Sequence, residues 1–528
     1  MKQLSKSKYA KYCQCPKCLW MSVYKPEEEV VDPQSEARFE NGTEVGDLAM
    51  GLLGDYVEVT ATKEDGKLDL KAMIQKTQEL MAMGTENICE ASFSYEGNYC
   101  AVDILHKTDD GWAIYEVKST SFPEFNGNPA KLEKYLPDVS YQKWVLTKCG
   151  INVTGVFLVC LNSDYVREGE LNLQELFVIN NMDEMIANEY DKVEERQAEA
   201  KKLLQQEEEP EMDIWEGCKK PYDCAFFKYC SRHLPSPSVF DLYRMQFSKK
   251  LEFYRQGRVL LEDVKDEKLT PVRRIQVDSI LSDTPHIEAD KIKEFLDGLS
   301  YPLYFLDFET MQLPIPEYDG MKVYQQITFQ YSLHIIEYEG GPLIHKEHLG
   351  ISGTDTRRPL AEQLCKDIPM GVCTLAYNKS FECTRIKELA EWFPDLAEHL
   401  LDINENIKDL LDPFAAGYYY LPSMDGSFSI KRVLPSLFPD DPSLDYHNLE
   451  GGVQNGSDAM NIFPKIQFME PEEQKKARKA LLEYCCLDTF AMVKVWEKLK
   501  SVLKSGGSVR MSLAKSENDE TIDVGLLM

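Results

Sequence analysis

The chain has 528 residues, of which 43% are hydrophobic, and 89 acidic against 59 basic side chains give it a formal net charge of -30. That length fits about two or three domains, each with apolar content enough for its own core. The charge excludes indiscriminate nucleic-acid binding, which needs clustered Lys and Arg to displace counterions; it leaves open a local basic groove or a site where carboxylates hold divalent cations. No run approaches the ~18 apolar residues of a membrane span. The N-terminus MKQLSKSKYAKYCQC lacks the apolar core of a signal peptide, so a cytoplasmic protein with no membrane partner is expected.

Fifteen cysteines in such a chain argue against a disulfide framework and leave metal binding as their distinctive use. Cys13, Cys15 and Cys18 stand in YCQCPKCLW, and Cys218, Cys224 and Cys230 stand in CKKPYDCAFFKYC with five residues between neighbours. Structural zinc usually takes two tight pairs on separate knuckles, whereas three evenly spaced thiolates and one distant cysteine suit a cubane cluster. Cys15, which precedes Pro16 and the apolar Leu19-Trp20, is the favoured distant partner. The expected ligands are therefore Cys15, Cys218, Cys224 and Cys230. Zinc on Cys15, Cys18 and two later cysteines is one alternative, and plain burial of small apolar thiols is another.

Residues 36–54 alternate acidic and apolar side chains with helical spacing, which predicts a helix on the rim of a site, with Glu44 as a first candidate acid. Residues 88–118 read as a meander of three strands, punctuated by the turn residues Glu96-Gly97-Asn98 and Asp109-Asp110-Gly111. On its last strand Glu116 and Lys118 share a face while Val117 points to the core. Asp103 on the neighbouring strand can then share a metal with Glu116, and Lys118 can position water or stabilise charge on a phosphate. From Asp183 to Glu211 the composition predicts one long charged helix that ends near Pro210 and returns the chain to the late cysteines.

Asp103, Glu116-Val117-Lys118, a downstream Gln142 in SYQKWVL and the terminal cysteines, in that order, resemble the PD-(D/E)xK nucleases. The branch is the RecB-like one that includes the CRISPR-associated exonucleases, in which an N-terminal cysteine and three late ones hold a 4Fe-4S cluster. The resemblance covers roughly residues 1–235. It implies that Asp103 and Glu116 carry the metal, that Lys118 is catalytic and that Gln142 belongs to the site. Many relatives place a histidine ligand shortly after the position of Gly42-Thr43, where this chain has Gly46.

After Cys230, HLPSPSVF reads as a linker, and residues 236–300 as a helical region that is the most basic of the chain, with Lys249, Lys250, Arg255, Arg258, Arg273 and Arg274. Those side chains either guide a phosphate backbone or form a solvated face. The run YPLYFLDFET then predicts a buried central strand that puts Asp307 and Glu309 on one face, a metal site in outline. Asn378 and Glu382 stand four apart at the start of a predicted helix, and Asp409 is a reserve acid. The insert DPFAAGYYYLPSMDGSFSIKRVLPSLFPD offers aromatics and Lys431-Arg432 for stacking and charge, or for packing. LLEYCCLDTFAMVKVW is an amphipathic helix that projects Tyr484 and Asp488 from one face.

This second set, D-x-E, N-x3-E and Y-x3-D, resembles the DnaQ-like exonucleases of ribonuclease-H fold, in the branch with a tyrosine in its third motif. The resemblance covers about residues 301–502. It implies that Asp307, Glu309 and Asp488 bind two divalent metals, Mg2+ or Mn2+, and that Tyr484 orients the attacking water, while Glu382 can still bind a metal. The family's second motif is N-x3-D, so Glu382 is a departure with a longer arm. Residues 503–528 read as a flexible tail, and the order of domains resembles a bacterial family that fuses the two modules. The expected protein is a two-domain α/β chain, a restriction-endonuclease-like PD-(D/E)xK domain plus a ribonuclease-H-like domain. It hydrolyses DNA or RNA ends with two metals, a 3′-5′ exonuclease in its second module. The rival is a nucleic-acid-binding or scaffold protein whose first domain keeps only a cluster-stabilised fold.

Overall fold

The computed structural model describes residues 3–30 and 42–504; residues 36–41 of the expected rim helix, and 505–528 of the expected tail, lie outside the described residues. The protein is mixed α/β with several sheets. Among the described residues no helix is long and apolar enough to cross a membrane.

The first sheet has seven strands: β1 (Leu4–Ser5), β2 (Val57–Glu58), β3 (Asn87–Tyr95), β4 (Asn98–Lys107), β5 (Trp112–Phe122), β6 (Val153–Asn162) and β7 (Phe177–Asn181). β3, β4 and β5 form the antiparallel meander that the alternation predicts. The two-residue turn Glu96-Gly97 has φ of 46° and 81°, the positive pair that a tight hairpin needs to match strand twist. The feature that makes a site is a fork. The β4–β5 ladder stops at Ile104 opposite Tyr115, so the next two residues, Asp103 and Glu116, splay apart. The edge of β4 that β5 vacates is taken by β1, which pairs with Asn98 and Tyr99. The next residue after β1 is Lys6, the first of the helix Lys6–Gln14.

One predicted element is corrected. The stretch from Asp183 forms two helices, Asp183–Tyr190 and Val193–Leu203, and leaves helical geometry well before Pro210. The acidic run Glu207–Glu209 would face the negative end of a helix dipole. In the structure Glu209 instead accepts Lys17 at 2.7 Å and Lys25 at 2.8 Å.

Between the two larger units lie the helices Phe247–Arg255, Pro271–Ser282 and Ala289–Asp297 and a short strand, β8 (His286–Ile287). Their cations are spent internally. Arg255 forms a fork-to-fork pair with Glu216 at 2.8 Å, Arg273 donates to the carbonyls of Tyr243 and Arg244, and Arg258 donates to that of Asp263. The solvated-face reading therefore fits this stretch better than a phosphate track.

The second sheet runs in the order β11-β10-β9-β12-β13, from β9 (Leu303–Gln312), β10 (Gln326–Ile336), β11 (Leu343–Leu349), β12 (Cys373–Ala376) and β13 (Ile407–Asp409). β10 is antiparallel to both neighbours, and β12 is parallel to β9 and β13. β9 is central and covered on both faces, which is why its sequence is almost continuously apolar. Its even face, Tyr304, Leu306 and Phe308, packs with Leu360, Ile386 and Leu400. Its odd face carries Leu303 and Phe305 under Met492, Val493 and Trp496 of the long helix Pro471–Lys504, and then Asp307 and Glu309. A last strand, β14 (Tyr419–Tyr420), pairs with β8.

The connection between β9 and β10 rests on the first unit. Gly320 donates to the Arg167 carbonyl at 2.8 Å, Arg167 donates back to Met321 at 2.9 Å, and the Tyr324 hydroxyl donates to the Ser119 carbonyl at 2.8 Å. Val323 joins the apolar cluster of Val45, Val117, Val159 and Tyr165.

Candidate metal and cluster sites

The helices Lys6–Gln14 and Pro16–Tyr24 meet at Cys15, and the segment from Met212 to Cys230 folds back over that junction. Cys15, Cys18, Cys218, Cys224 and Cys230 line one small cavity with Met21, Met212 and Phe226. Gln14 tethers the far segment by donating to the carbonyls of Gly217 and Tyr222 at 2.8 Å. Gly217 has no room for a side chain, because a Cβ there would stand 2.7 Å from the Gln14 carbonyl. Cys13 turns away toward Arg196. The four expected ligands are thus together, and Cys18 is a fifth sulfur beside Cys224. In a four-thiolate zinc site the sulfurs stand about 3.8 Å apart, given ~2.3 Å bonds. The five sulfurs around this cavity could hold a metal ion or a cluster.

At the fork of β4 and β5 the side chains converge as the pattern predicts, with two additions. Lys118 Nζ donates to Glu116 Oε1 at 2.6 Å and to Asp138 Oδ2 at 2.7 Å. Gln142 Nε2 donates to Glu116 Oε2 at 2.7 Å and to Asp138 Oδ1 at 2.9 Å. Asp103 Oδ2 accepts the Val117 N–H at 2.7 Å, which locks the splayed strands. The first addition is Asp138, one turn before Gln142 on the helix Leu136–Lys148; its i,i+4 spacing to a buried Gln was the available signal. The second is Lys6. Its ammonium stands 2.9 Å and 3.1 Å from the two Glu116 oxygens and 3.3 Å from Asp103 Oδ1. No sequence pattern flags it, since it lies 97 residues from Asp103.

The charges respond accordingly. Burial, Asp103 and Asp138 push Glu116 up to about 7, against the pull of Lys118 and Lys6. Burial also raises Asp138, but Lys118 and Lys6 win and hold it well below the usual carboxylate range. Glu90 on β3 is pushed to about 7 by burial and by Asp103. Glu44 does not join this group: burial and Glu317 of the β9–β10 connection raise it. At Gly46 an added Cβ would meet nothing within 4 Å among the described residues. Tested against a divalent ion, the centre does not fit as it stands. Lys6 already occupies the position that Asp103 and Glu116 would share, and every Glu116 oxygen has its donors.

At the second centre Asp307 and Glu309 lie on the odd face of β9, and one carboxylate oxygen of each and Cys485 Sγ lie within 4.8 Å of one another. Asp488 and Tyr484 come down from the long helix, one turn apart, both buried. Glu382, buried in the first turn of the helix Ser380–Trp392, leaves Oε2 without a hydrogen-bond partner. Asn378 precedes that helix at φ 68° rather than lying on its face. Asp409 is not a ligand candidate, because its carboxylate accepts the N–H groups of Asn378, Lys379 and Leu411 and so caps the helix start.

Burial and then Asp488 and Glu309 raise Asp307 well above its ordinary value, and burial and Asp488 do the same for Glu309. Burial raises Glu382 to about 8 and Asp488 to about 6, the latter restrained by hydrogen bonds from Tyr446 and Tyr484 and by Lys431. Tyr446, which the sequence pattern missed, donates to Asp488 Oδ1 at 2.7 Å. Lys431 from the aromatic insert donates to the Tyr484 hydroxyl at 3.2 Å and lies over the rings of Tyr446 and Tyr484, while Arg432 turns away to Asp425. Several buried carboxylates with one facing ammonium are costly unless a cation joins them. All of the donors but Cys485 are hard oxygens, so this centre fits Mg2+ or Mn2+.

Residues 304–429, which carry Asp307, Glu309, Asn378 and Glu382, match a family described as Domain of unknown function (DUF2779). The chain is also similar to Uncharacterized protein UU173 of Ureaplasma parvum serovar 3, with 36% identity over 146 residues, 24% of this chain. The match spans about a fifth of that curated relative's length, 21%.

Proposed function

We propose that the protein is a metal-dependent nuclease that hydrolyses phosphodiester bonds of DNA or RNA, and that the reacting centre is the one on β9. The observation that carries this reading is the convergence of Asp307, Glu309, Asp488 and Glu382 in one buried cluster whose mutual repulsion a divalent cation would relieve. Divalent ions held by such a set stabilise charge on both the attacking and the leaving oxygen of an in-line displacement. Tyr484, kept as a neutral hydroxyl by burial and by Asp488, is placed to orient a water, with Lys431 fixing that hydroxyl. The central β9, the helices on its even face and the long helix on its odd face support the DnaQ-like, ribonuclease-H-like reading, and the 3′-5′ polarity is what that resemblance implies.

The first unit, by the same reading, is a RecB-like PD-(D/E)xK domain whose cysteines hold a 4Fe-4S cluster, tying residue 15 to residue 230. Lys6 at its fork favours a second role for this unit, as a cluster-stabilised platform that binds nucleic acid without cutting it. Purified protein incubated with single-stranded and duplex DNA and RNA, labelled at the 3′ end, with Mg2+ or Mn2+, tests both readings. Nucleotide release that Asp307→Ala abolishes and Glu116→Ala spares supports cutting at the second centre alone. No release from any strand rejects the nuclease reading.

A further inference from the structure

A second group of metal donors lies under the long helix Pro471–Lys504, on the strands β10 and β11 beside β9. His334 of β10 and His345 of β11 face each other in strand register, with ring centroids 4.6 Å apart. Cys486 of the long helix reaches the same point, and one donor atom from each of the three lies within 4.8 Å of the others. Adjacent cysteines of one helix thus serve different places: Cys485 turns to Asp307 at 3.9 Å, and Cys486 turns to the histidine pair.

The surroundings are those of a built site. His334 Nδ1 is bonded to Thr489 Oγ1 at 2.7 Å, His345 Nε2 to Ser332 Oγ at 2.9 Å, and these two hydroxyls to each other at 2.7 Å. Each ring therefore has one nitrogen held by a hydroxyl that fixes its orientation, as the outer partners of metal-binding histidines do. His334 is buried, while His345, Cys486, Glu347 and Glu483 line an open pocket of about 710 Å³ that gives access from solvent.

We propose that His334, His345 and Cys486 bind a single Zn2+ ion, with its fourth position open to this pocket. Two imidazoles and one thiolate suit a borderline-soft transition ion rather than Mg2+. Ligand atoms around tetrahedral zinc stand about 3.3–3.6 Å apart, given bonds of ~2.0–2.3 Å, so the three side chains close by roughly 1 Å on binding. The ion pins the edge strand β11 to the helix that carries Tyr484 and Asp488. Ser332, opposite Asp307 in register, joins the two places through its bond to Thr489.

The test uses the full chain as purified. Bound zinc is counted by mass spectrometry for the wild type, Cys486→Ser, His345→Ala and Cys224→Ser, and Co2+ uptake is followed through its thiolate charge-transfer absorption. The expected result is loss of about one zinc per chain and of one cobalt–thiolate band in Cys486→Ser and His345→Ala, with Cys224→Ser retaining both at this site. Thr489→Val weakens zinc by about 10- to 100-fold, as expected for loss of a group that orients a ligand. Equal zinc in the wild type and both ligand variants, or no thiolate band that depends on Cys486, overturns the proposal. His345 is exposed on an edge strand, so its variant keeps the test decisive if Cys486→Ser folds poorly.

Discussion

The ammonium of Lys6 lies 2.9 Å from Oε1 of Glu116, in the place where a cation shared with Asp103 would stand. Two lysines, Lys6 and Lys118, then face the carboxylates of Asp103, Glu116 and Asp138. The fork is close to neutral without any metal, in contrast to the centre on β9.

The first prediction follows from that contrast. In an Asp307→Ala background, which silences the second centre, Lys6→Ala should raise Mn2+ affinity at the fork by about tenfold or more, roughly 1.4 kcal/mol. Calorimetry or the paramagnetic resonance of free Mn2+ reads this directly. Unchanged affinity would mean that Lys6 does not compete for the position.

At the second centre, Asp307→Ala should lose divalent-ion binding and nuclease activity together, because it removes a donor at the middle of the cluster. Tyr484→Phe removes one hydroxyl and keeps the packing, so turnover should fall by about 10- to 1,000-fold with metal affinity nearly unchanged. Initial rates on a 3′-labelled strand, in a Glu116→Ala background, check both. A Tyr484→Phe enzyme as fast as its parent would remove the tyrosine from the mechanism.

The acids around β9 make stability depend on pH in an unusual direction. Asp488 is raised to about 6 and Glu382 to about 8, with Asp307 and Glu309 also raised. The folded chain therefore holds protons at these groups that the unfolded chain has released above about pH 4. Their contribution is fully present below that point and is lost as pH rises through the folded values. In metal-free protein, Asp488→Asn should raise the melting temperature relative to wild type more at pH 8 than at pH 5. Mg2+ should stabilise the wild type more at pH 8 as well, since it binds the deprotonated set. A melting-temperature difference that is flat in pH would contradict the buried-cluster account.

Anaerobically purified protein should be brown and contain iron and labile sulfide, and Cys224→Ser should lose most of both. Cys13→Ser should lose neither, because Cys13 faces Arg196 away from the cavity. Equimolar zinc without iron would refute the cluster.

Much of this was legible in the chain itself, because it depends on local periodicity. The meander of β3, β4 and β5, the apolar β9 with Asp307 and Glu309 on one face, and the helical pairing of Tyr484 with Asp488 follow from period two and period 3.6 alone. The cysteine spacing likewise foretold that residue 15 meets residues 218–230. The expected long helix from Asp183 is two helices that end at Leu203, and Glu209 beyond them pairs with Lys17 and Lys25.

Tertiary structure alone decided what fills each site. Lys6 reaches Glu116 because β5 leaves the edge of β4 and β1 takes it, a matter of where a ladder stops and not of any motif. Tyr446 reaches Asp488, Lys431 reaches Tyr484, and His334 meets Cys486 across separations that no sequence window spans. Asp409 accepts three backbone N–H groups, from a segment 30 residues away and from its own turn, partners that no motif announces. A sequence names the groups that can carry charge. Which of them must be neutralised by a neighbour, and which are left for an ion, depends on the low-dielectric packing that brings distant strands together.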